Sequence, residues 1–179
     1  MGASSGLAAG GSALGIRFAR TPADIPNALM AALSYDSKVL LERYVPGRDL
    51  AVSIIVSPDG PEALPVVEAI PMDEDFYDFE SRYEIGRTEF VCPAGLTPEC
   101  TALAQELAVA TYELLGCRGF ARVDLMVEDA TDAPLVLEVN AIPGLTETSL
   151  LPMAAEASGI SFDELIARIV DLALATARA

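Results

Sequence analysis

Two stretches of strict alternation constrain this chain more than anything else in it: Arg122-Val-Asp124 and Glu138-Val-Asn140, with the polar turn DATDAP between them. Strand side chains point to alternate faces, so Arg122 and Asp124 share one face while Val123 and Leu125 take the other. Glu138 and Asn140 likewise share a face, with Leu137 and Val139 opposite. A hairpin centred near Thr131 sets Asp124 across from Glu138 and Arg122 across from Asn140, with all four side chains on one side. Two carboxylates, one amide oxygen and a guanidinium on one sheet face make an oxygen-rich Mg²⁺ site with an anion clamp beside it. The same residues also read as a solvated outer face whose charges pair across the strands. The next segment, IPGLTETS, is rich in turn and hydroxyl residues and favours the first reading, because loops at strand ends tend to hold ligands.

Composition narrows the chemistry further. With 11 Lys plus Arg against 27 Asp plus Glu, the 179 residues carry a formal charge of −16. Nucleic-acid affinity rests on clustered cations, so no nucleic-acid partner is expected. Histidine is absent, which removes Ser-His-Asp triads, imidazole bases and His-ligated zinc. Cys92, Cys100 and Cys117 have no CxxC spacing and read as reduced packing residues. No apolar run reaches membrane-spanning length, and MGASSGLAAGGSALG lacks the positive start of a secretory signal. A cytoplasmic protein is the expectation.

The remaining pattern predicts an α+β domain around a largely antiparallel sheet flanked by helices. Thr21-Pro22 opens a helix running to about Leu33. VLLERYV (39–45) and DLAVSIIV (49–56) read as strands separated by a Pro46-Gly47 turn, and LPVVEAI (64–70) as another. Residues 72–89 have neither helical nor strand period, and a loop of that length is commonly either functional or disordered. Thr97-Pro98 starts a long helix with an apolar stripe of Leu103, Leu107, Ala110 and Leu114. Ser161 and Glu164 form a capping box for a last helix with Phe162, Leu165, Ile166, Ile169 and Val170 on one face.

Four stretches carry a resemblance: FYDFESRY (76–83), CPAGL (92–96), LGCRGFARVDLMV (115–127) and LEVNAIPGLTETSLLPMAAEASGISFDELI (137–166). In order and in wording they resemble the D-alanine–D-alanine ligases of the ATP-grasp superfamily, from about Gly10 to the end. The resemblance implies an enzyme that phosphorylates the carboxylate of one D-alanine with ATP. The amine of a second D-alanine then attacks the acyl phosphate, giving a dipeptide for peptidoglycan. Such chemistry needs charge stabilisation more than a covalent nucleophile, so a site without histidine suffices.

Carried over position by position, the resemblance makes Asp124, Glu138 and Asn140 ligands of two Mg²⁺ ions, with Mn²⁺ as a substitute and Glu138 shared. Arg122 would stabilise the transferring phosphoryl group. Gly144, Ser149 and Leu150 would seat the second D-alanine, Ser149 and Leu150 meeting its carboxylate near a helix start. GGSALG (10–15) matches a phosphate-covering loop, with Ser12 as its hydroxyl. Glu42, Arg43 and Val45 would contact adenine and Asp49 the ribose. Tyr83 matches the lid of dipeptide ligases, and Arg82 stands where they commonly carry lysine. Residues 1–46 would then be a remnant of the central ATP-binding lid subdomain and 47–179 the ATP-grasp C-terminal catalytic domain. Homodimerisation of the full enzyme is implied as well.

The pattern also departs from the family. Lys38 is the single lysine and matches neither phosphate-binding lysine of these ligases, and Gly6 falls where one of them belongs. The resemblance covers only about the C-terminal half of such a ligase, so the expectation is a fragment whose activity belongs to the full enzyme. Another ATP-grasp carboxylate–amine ligase, or a non-catalytic acidic metal-binding or dimerisation module, are the alternatives.

Overall fold

The computed structural model describes residues 2–4, 15–71 and 88–177. The chain divides into two compact units, 1–46 with 71–88 and 47–70 with 89–179.

The first unit holds a three-stranded antiparallel sheet of β1 (Gly2–Ser4), β2 (Arg17–Phe18) and β3 (Leu40–Glu42), in the order β2-β1-β3. Helix α1 (Ile25–Ala32) follows a 3₁₀ turn at Pro22–Asp24. The helix expected from Thr21 thus begins as a tighter turn. Asp24 Oδ2 accepts from both the Thr21 backbone N–H and its hydroxyl, at 2.8 and 2.9 Å, which closes that turn as a capping box. Ala28 and Ala32 are the buried face of α1. Phe18 and Tyr44 meet edge to face, 5.6 Å between ring centroids.

The second unit is built on β4 (Gly47–Ser57), whose run from Leu50 to Ile55 is buried throughout. Along one edge it pairs first with β6 (Val67–Pro71) and then with β5 (Gly60–Ala63), both antiparallel. Its other edge pairs over nine residues with β8 (Phe120–Glu128), which pairs in turn with β9 (Pro134–Asn140). β7 (Thr88–Val91) lies beyond β6, giving the order β7-β6-β4-β8-β9. Strands this buried on both faces lose the clean alternation of a one-sided sheet, as the VSIIV run does.

Gly47 is the first residue of β4, paired with Glu128, rather than part of a turn. A Cβ there would stand 2.0 Å from the Val127 carbonyl oxygen, so the residue serves close strand approach. The strands VLLERYV and DLAVSIIV also belong to different sheets, β3 to the first unit and β4 to the second. β5 and β7 were not anticipated from sequence. GPEA has no strand composition, and its place is set by pairing with β4.

Helix α2 (Pro98–Leu114) covers one face of this sheet, and its N-cap Thr97 accepts from Cys100 N–H at 3.2 Å. The expected stripe is not the buried one. Cys100, Ala104, Ala108 and Tyr112 pack on Leu50, Val52, Ile54 and Val123, while Leu103 is 44% and Leu114 85% exposed. Small residues four apart let the helix axis sit close to the strands. The leucines, too large for that approach, turn away; only Leu107 of the expected stripe packs partly on the core.

Helices α3 (Leu150–Ala157) and α4 (Phe162–Ala177) cover the opposite face, with Leu150, Leu151, Ala154, Ala155 and Leu165 packed on Ala51, Ile55 and Val67. Ser161 Oγ accepts from Glu164 N–H at 3.3 Å, one half of the expected capping box, while the Glu164 carboxylate accepts from Arg168 instead. Leu165 is the buried residue of the α4 stripe and Ile169 packs partly against it, whereas Val170 is 49% exposed.

Candidate functional site

The β8–β9 hairpin brings the four residues of interest together in the expected register. Arg122 lies across from Asn140, Val123 from Val139, and Asp124 from Glu138. Immediately towards the turn the register shifts, Leu125 facing Val136, so that Leu137 is an extra residue. This bulge sits beside the carboxylate pair, a place where bulges commonly re-aim side chains. Val139 packs on the α2-side core, which places Glu138 and Asn140 on the opposite, α3/α4 side with Arg122 and Asp124.

The electrostatics differ from a simple pair of facing acids. Arg122 Nε donates to Asp124 Oδ1 at 2.6 Å and Nη2 to Oδ2 at 2.8 Å, a two-pronged pair. The two side chains are 13% and 7% exposed, so this charge is held almost out of water. Glu138 is exposed and Asn140 half-buried. Asn140 Oδ1 accepts from Ile142 N–H at 3.2 Å, which turns the chain out of the strand into the following loop.

That loop closes on the start of α3. Ser149 is the N-cap of α3 by backbone conformation, yet its hydroxyl makes no cap bond to the helix. Its Oγ instead accepts from Thr146 N–H at 3.2 Å and lies 2.8 Å from Thr146 Oγ1. Gly144 faces it so closely that a Cβ would come within 2.7 Å of Ser149 Oγ. Leu150 is buried in the core, leaving only its backbone to meet a ligand. The first amides of a helix attract anions when no side chain caps them.

Among the described residues no group of three or more His, Cys, Asp or Glu is arranged to hold a metal ion. Asp124, Glu138 and Asn140 nevertheless form a hard-oxygen set of two carboxylates and one amide. Mg²⁺ is commonly held by one or two carboxylates plus substrate phosphates, so this donor set fits it.

The other expected nucleotide contacts fall in both units. Glu42 ends β3 and, with Arg43, is exposed; Val45 is half-buried, and all three belong to the first unit. Asp49, half-buried in β4 between Ala69 and Met126, belongs to the second. Ser12, Arg82 and Tyr83 lie outside the described residues.

Two features escaped sequence reading. Arg48, next to Asp49 but on the α2 face, donates through Nε and Nη2 to Glu68 at 2.6 Å each, and Nη2 also reaches the Gly95 carbonyl at 3.1 Å. Hydrogen bonding to Glu68 raises the Arg48 guanidinium above its ordinary value. The signal was a lone glutamate inside the apolar VVEAI, since a buried carboxylate calls for a cation. Ser53 is fully buried, faces Arg122 in the β4–β8 register, and its hydroxyl has no hydrogen-bond partner among the described residues.

This chain is similar to known proteins over nearly its whole length. It is 41% identical over 164 residues to the D-alanine--D-alanine ligase of Carboxydothermus hydrogenoformans, covering 92% of this chain and 52% of that protein. To the D-alanine--D-alanine ligase of a Synechococcus strain (JA-3-3Ab) it is 43% identical, covering 92% and 49%. The crystal structure of D-alanine--D-alanine ligase from Bacillus anthracis complexed with ATP superposes with a TM-score of 0.73 at 29% identity, over 90% of this chain and 51% of that one. The ligase structure from Coxiella burnetii shares the fold with a TM-score of 0.79 at 23% identity, over 98% of this chain and 45% of that one. The chain therefore spans about half the length of the curated relatives it matches. The family model described as D-ala D-ala ligase C-terminus matches residues 7–171. With all but its two ends inside that match, the chain belongs to the D-ala D-ala ligase C-terminus family.

Proposed function

We propose that this chain is the catalytic half of an enzyme that joins two D-alanines at the expense of ATP, through an acyl phosphate, for peptidoglycan synthesis. The observation that carries the reading is the β8–β9 register, which sets Asp124 opposite Glu138 and Arg122 opposite Asn140 on the face shared with α3. In the first step a carboxylate oxygen of one D-alanine takes the γ-phosphoryl group and ADP leaves. In the second, the amine of the other D-alanine attacks the activated carbonyl and phosphate leaves. Both steps develop negative charge that a guanidinium in a water-poor setting stabilises well, and Arg122 is so placed. Mg²⁺, as two ions with Mn²⁺ as a substitute, would be held by Asp124, Glu138 and Asn140 and supplies neutralisation of the ATP phosphates.

Ser149 and the Leu150 backbone N–H at the start of α3 receive the carboxylate of the second D-alanine, and Gly144 leaves room beside Ser149. Glu42, Arg43 and Val45 contact adenine and Asp49 the ribose. Ser12, Arg82 and Tyr83 close over the phosphates and substrate, roles that rest on the resemblance alone. Residues 1–46 act as part of the lid subdomain and 47–179 as the catalytic domain. The complete enzyme works in the cytoplasm as a homodimer; among the described residues no helix is long and apolar enough to cross a membrane.

A chimaera tests this reading. Residues 7–171 replace the matching half of the Carboxydothermus hydrogenoformans ligase, and ADP release is followed with and without D-alanine. D-alanine-dependent ADP release is expected. A folded chimaera that hydrolyses no ATP with D-alanine present contradicts it.

A further inference from the structure

Asp124 has two competing partners. The proposed function needs its oxygens for a divalent cation and needs the Arg122 guanidinium for an anion. Here both carboxylate oxygens are engaged by Arg122, at 2.6 and 2.8 Å. The two residues are neighbours on one face of one strand, so the pair forms within β8 and needs no other segment to assemble. Asp124 is 5% exposed, and a carboxylate that far from water without a cation is strongly disfavoured.

From this geometry we infer that Arg122 is the built-in counter-cation of Asp124, and that it exchanges between Asp124 and the incoming anion. The inference rests on the metal assignment made above. The two-pronged grip on both oxygens competes with a divalent cation for Asp124, and a guanidinium released from it faces the ligand's phosphates. Cation binding and anion binding are thereby coupled through one side chain. By linkage, each ligand raises the affinity of the other by the same factor.

The exchange makes a distinctive statement about Mn²⁺ alone. Removing Arg122 removes the competitor, so Arg122→Met should bind Mn²⁺ more tightly than the wild-type chain. A gain of about fivefold or more is expected, the lower edge of couplings of this kind. Mn²⁺ titration of the 179-residue chain followed by electron paramagnetic resonance reads this directly. Equal affinity in the two proteins, or weaker binding in Arg122→Met, overturns the exchange while leaving the metal assignment standing. Absence of Mn²⁺ binding in both overturns the two together.

A second measurement uses the wild-type chain and guards against a variant that fails to fold. The Arg122 Nε–H resonance in a ¹⁵N spectrum is identified by its loss in Arg122→Lys. It should be protected from exchange with water in the absence of metal and lose that protection as Mg²⁺ is added. A resonance unchanged in position and protection at Mg²⁺ saturation overturns the inference.

Discussion

Gly144 and Ser149 stand so close that a Cβ on the glycine would lie 2.7 Å from the serine Oγ. The same hydroxyl is held by Thr146, through its N–H at 3.2 Å and its Oγ1 at 2.8 Å, instead of capping α3. Gly144→Ala should push the Ser149 hydroxyl out of this arrangement with little effect on the core, since Gly144 is exposed. In the chimaeric ligase the KM for D-alanine should rise roughly tenfold, the worth of one hydrogen bond, with thermal stability little changed. An unchanged KM would place the second substrate elsewhere.

Helix α2 offers a test of which face is buried. Leu103→Gln and Leu114→Gln should change stability by less than about 0.5 kcal/mol, because both side chains already meet solvent. Ala104→Leu or Ala108→Leu forces extra methylenes between helix and sheet and should cost about 1–3 kcal/mol or more. Urea unfolding of the four variants would read the difference. The reverse ranking would mean that the helix is rotated.

The Arg48–Glu68 pair joins the start of β4 to β6 and to the segment before α2. Arg48→Met strands a carboxylate whose side chain is 10% exposed and should destabilise the chain by about 2–4 kcal/mol. Solvent tempers the figure, because the Arg48 side chain is 37% exposed. Glu68→Gln, which keeps an acceptor, should lose less. Equal unfolding midpoints for Arg48→Met and wild type would remove the pair from the account.

Ser53 carries a buried hydroxyl with no partner among the described residues. Ser53→Ala removes that orphan group and should raise stability by about 1 kcal/mol, measured by the same unfolding experiment. A loss of similar size would show that the hydroxyl is bonded after all.

Much of the β8–β9 hairpin was legible because strand alternation and a single polar turn leave few registers open. The pairings of Asp124 with Glu138 and Arg122 with Asn140 follow from that alone. The bulge at Leu137 was not legible, since a strand sequence does not announce an extra residue. Nor was the Arg122–Asp124 pairing, because a shared face does not say which partner a side chain takes. The α2 stripe misled for a related reason. Periodicity finds apolar residues, while the close approach of a helix to a sheet selects the small ones, Ala104 and Ala108, over Leu103. The separation of β3 from β4 into different units leaves no trace in either strand, because it depends on which partners each edge meets.

The central claim is that the shared face of β8 and β9 is where a divalent cation and ATP phosphates meet. Calorimetric titration of ATP into this chain, with and without Mg²⁺, tests it most directly when repeated on Asp124→Asn and Glu138→Gln. The account predicts Mg²⁺-dependent heat in the wild-type chain that both variants lose while remaining folded. Mg²⁺-dependent binding of equal affinity in all three proteins would contradict it.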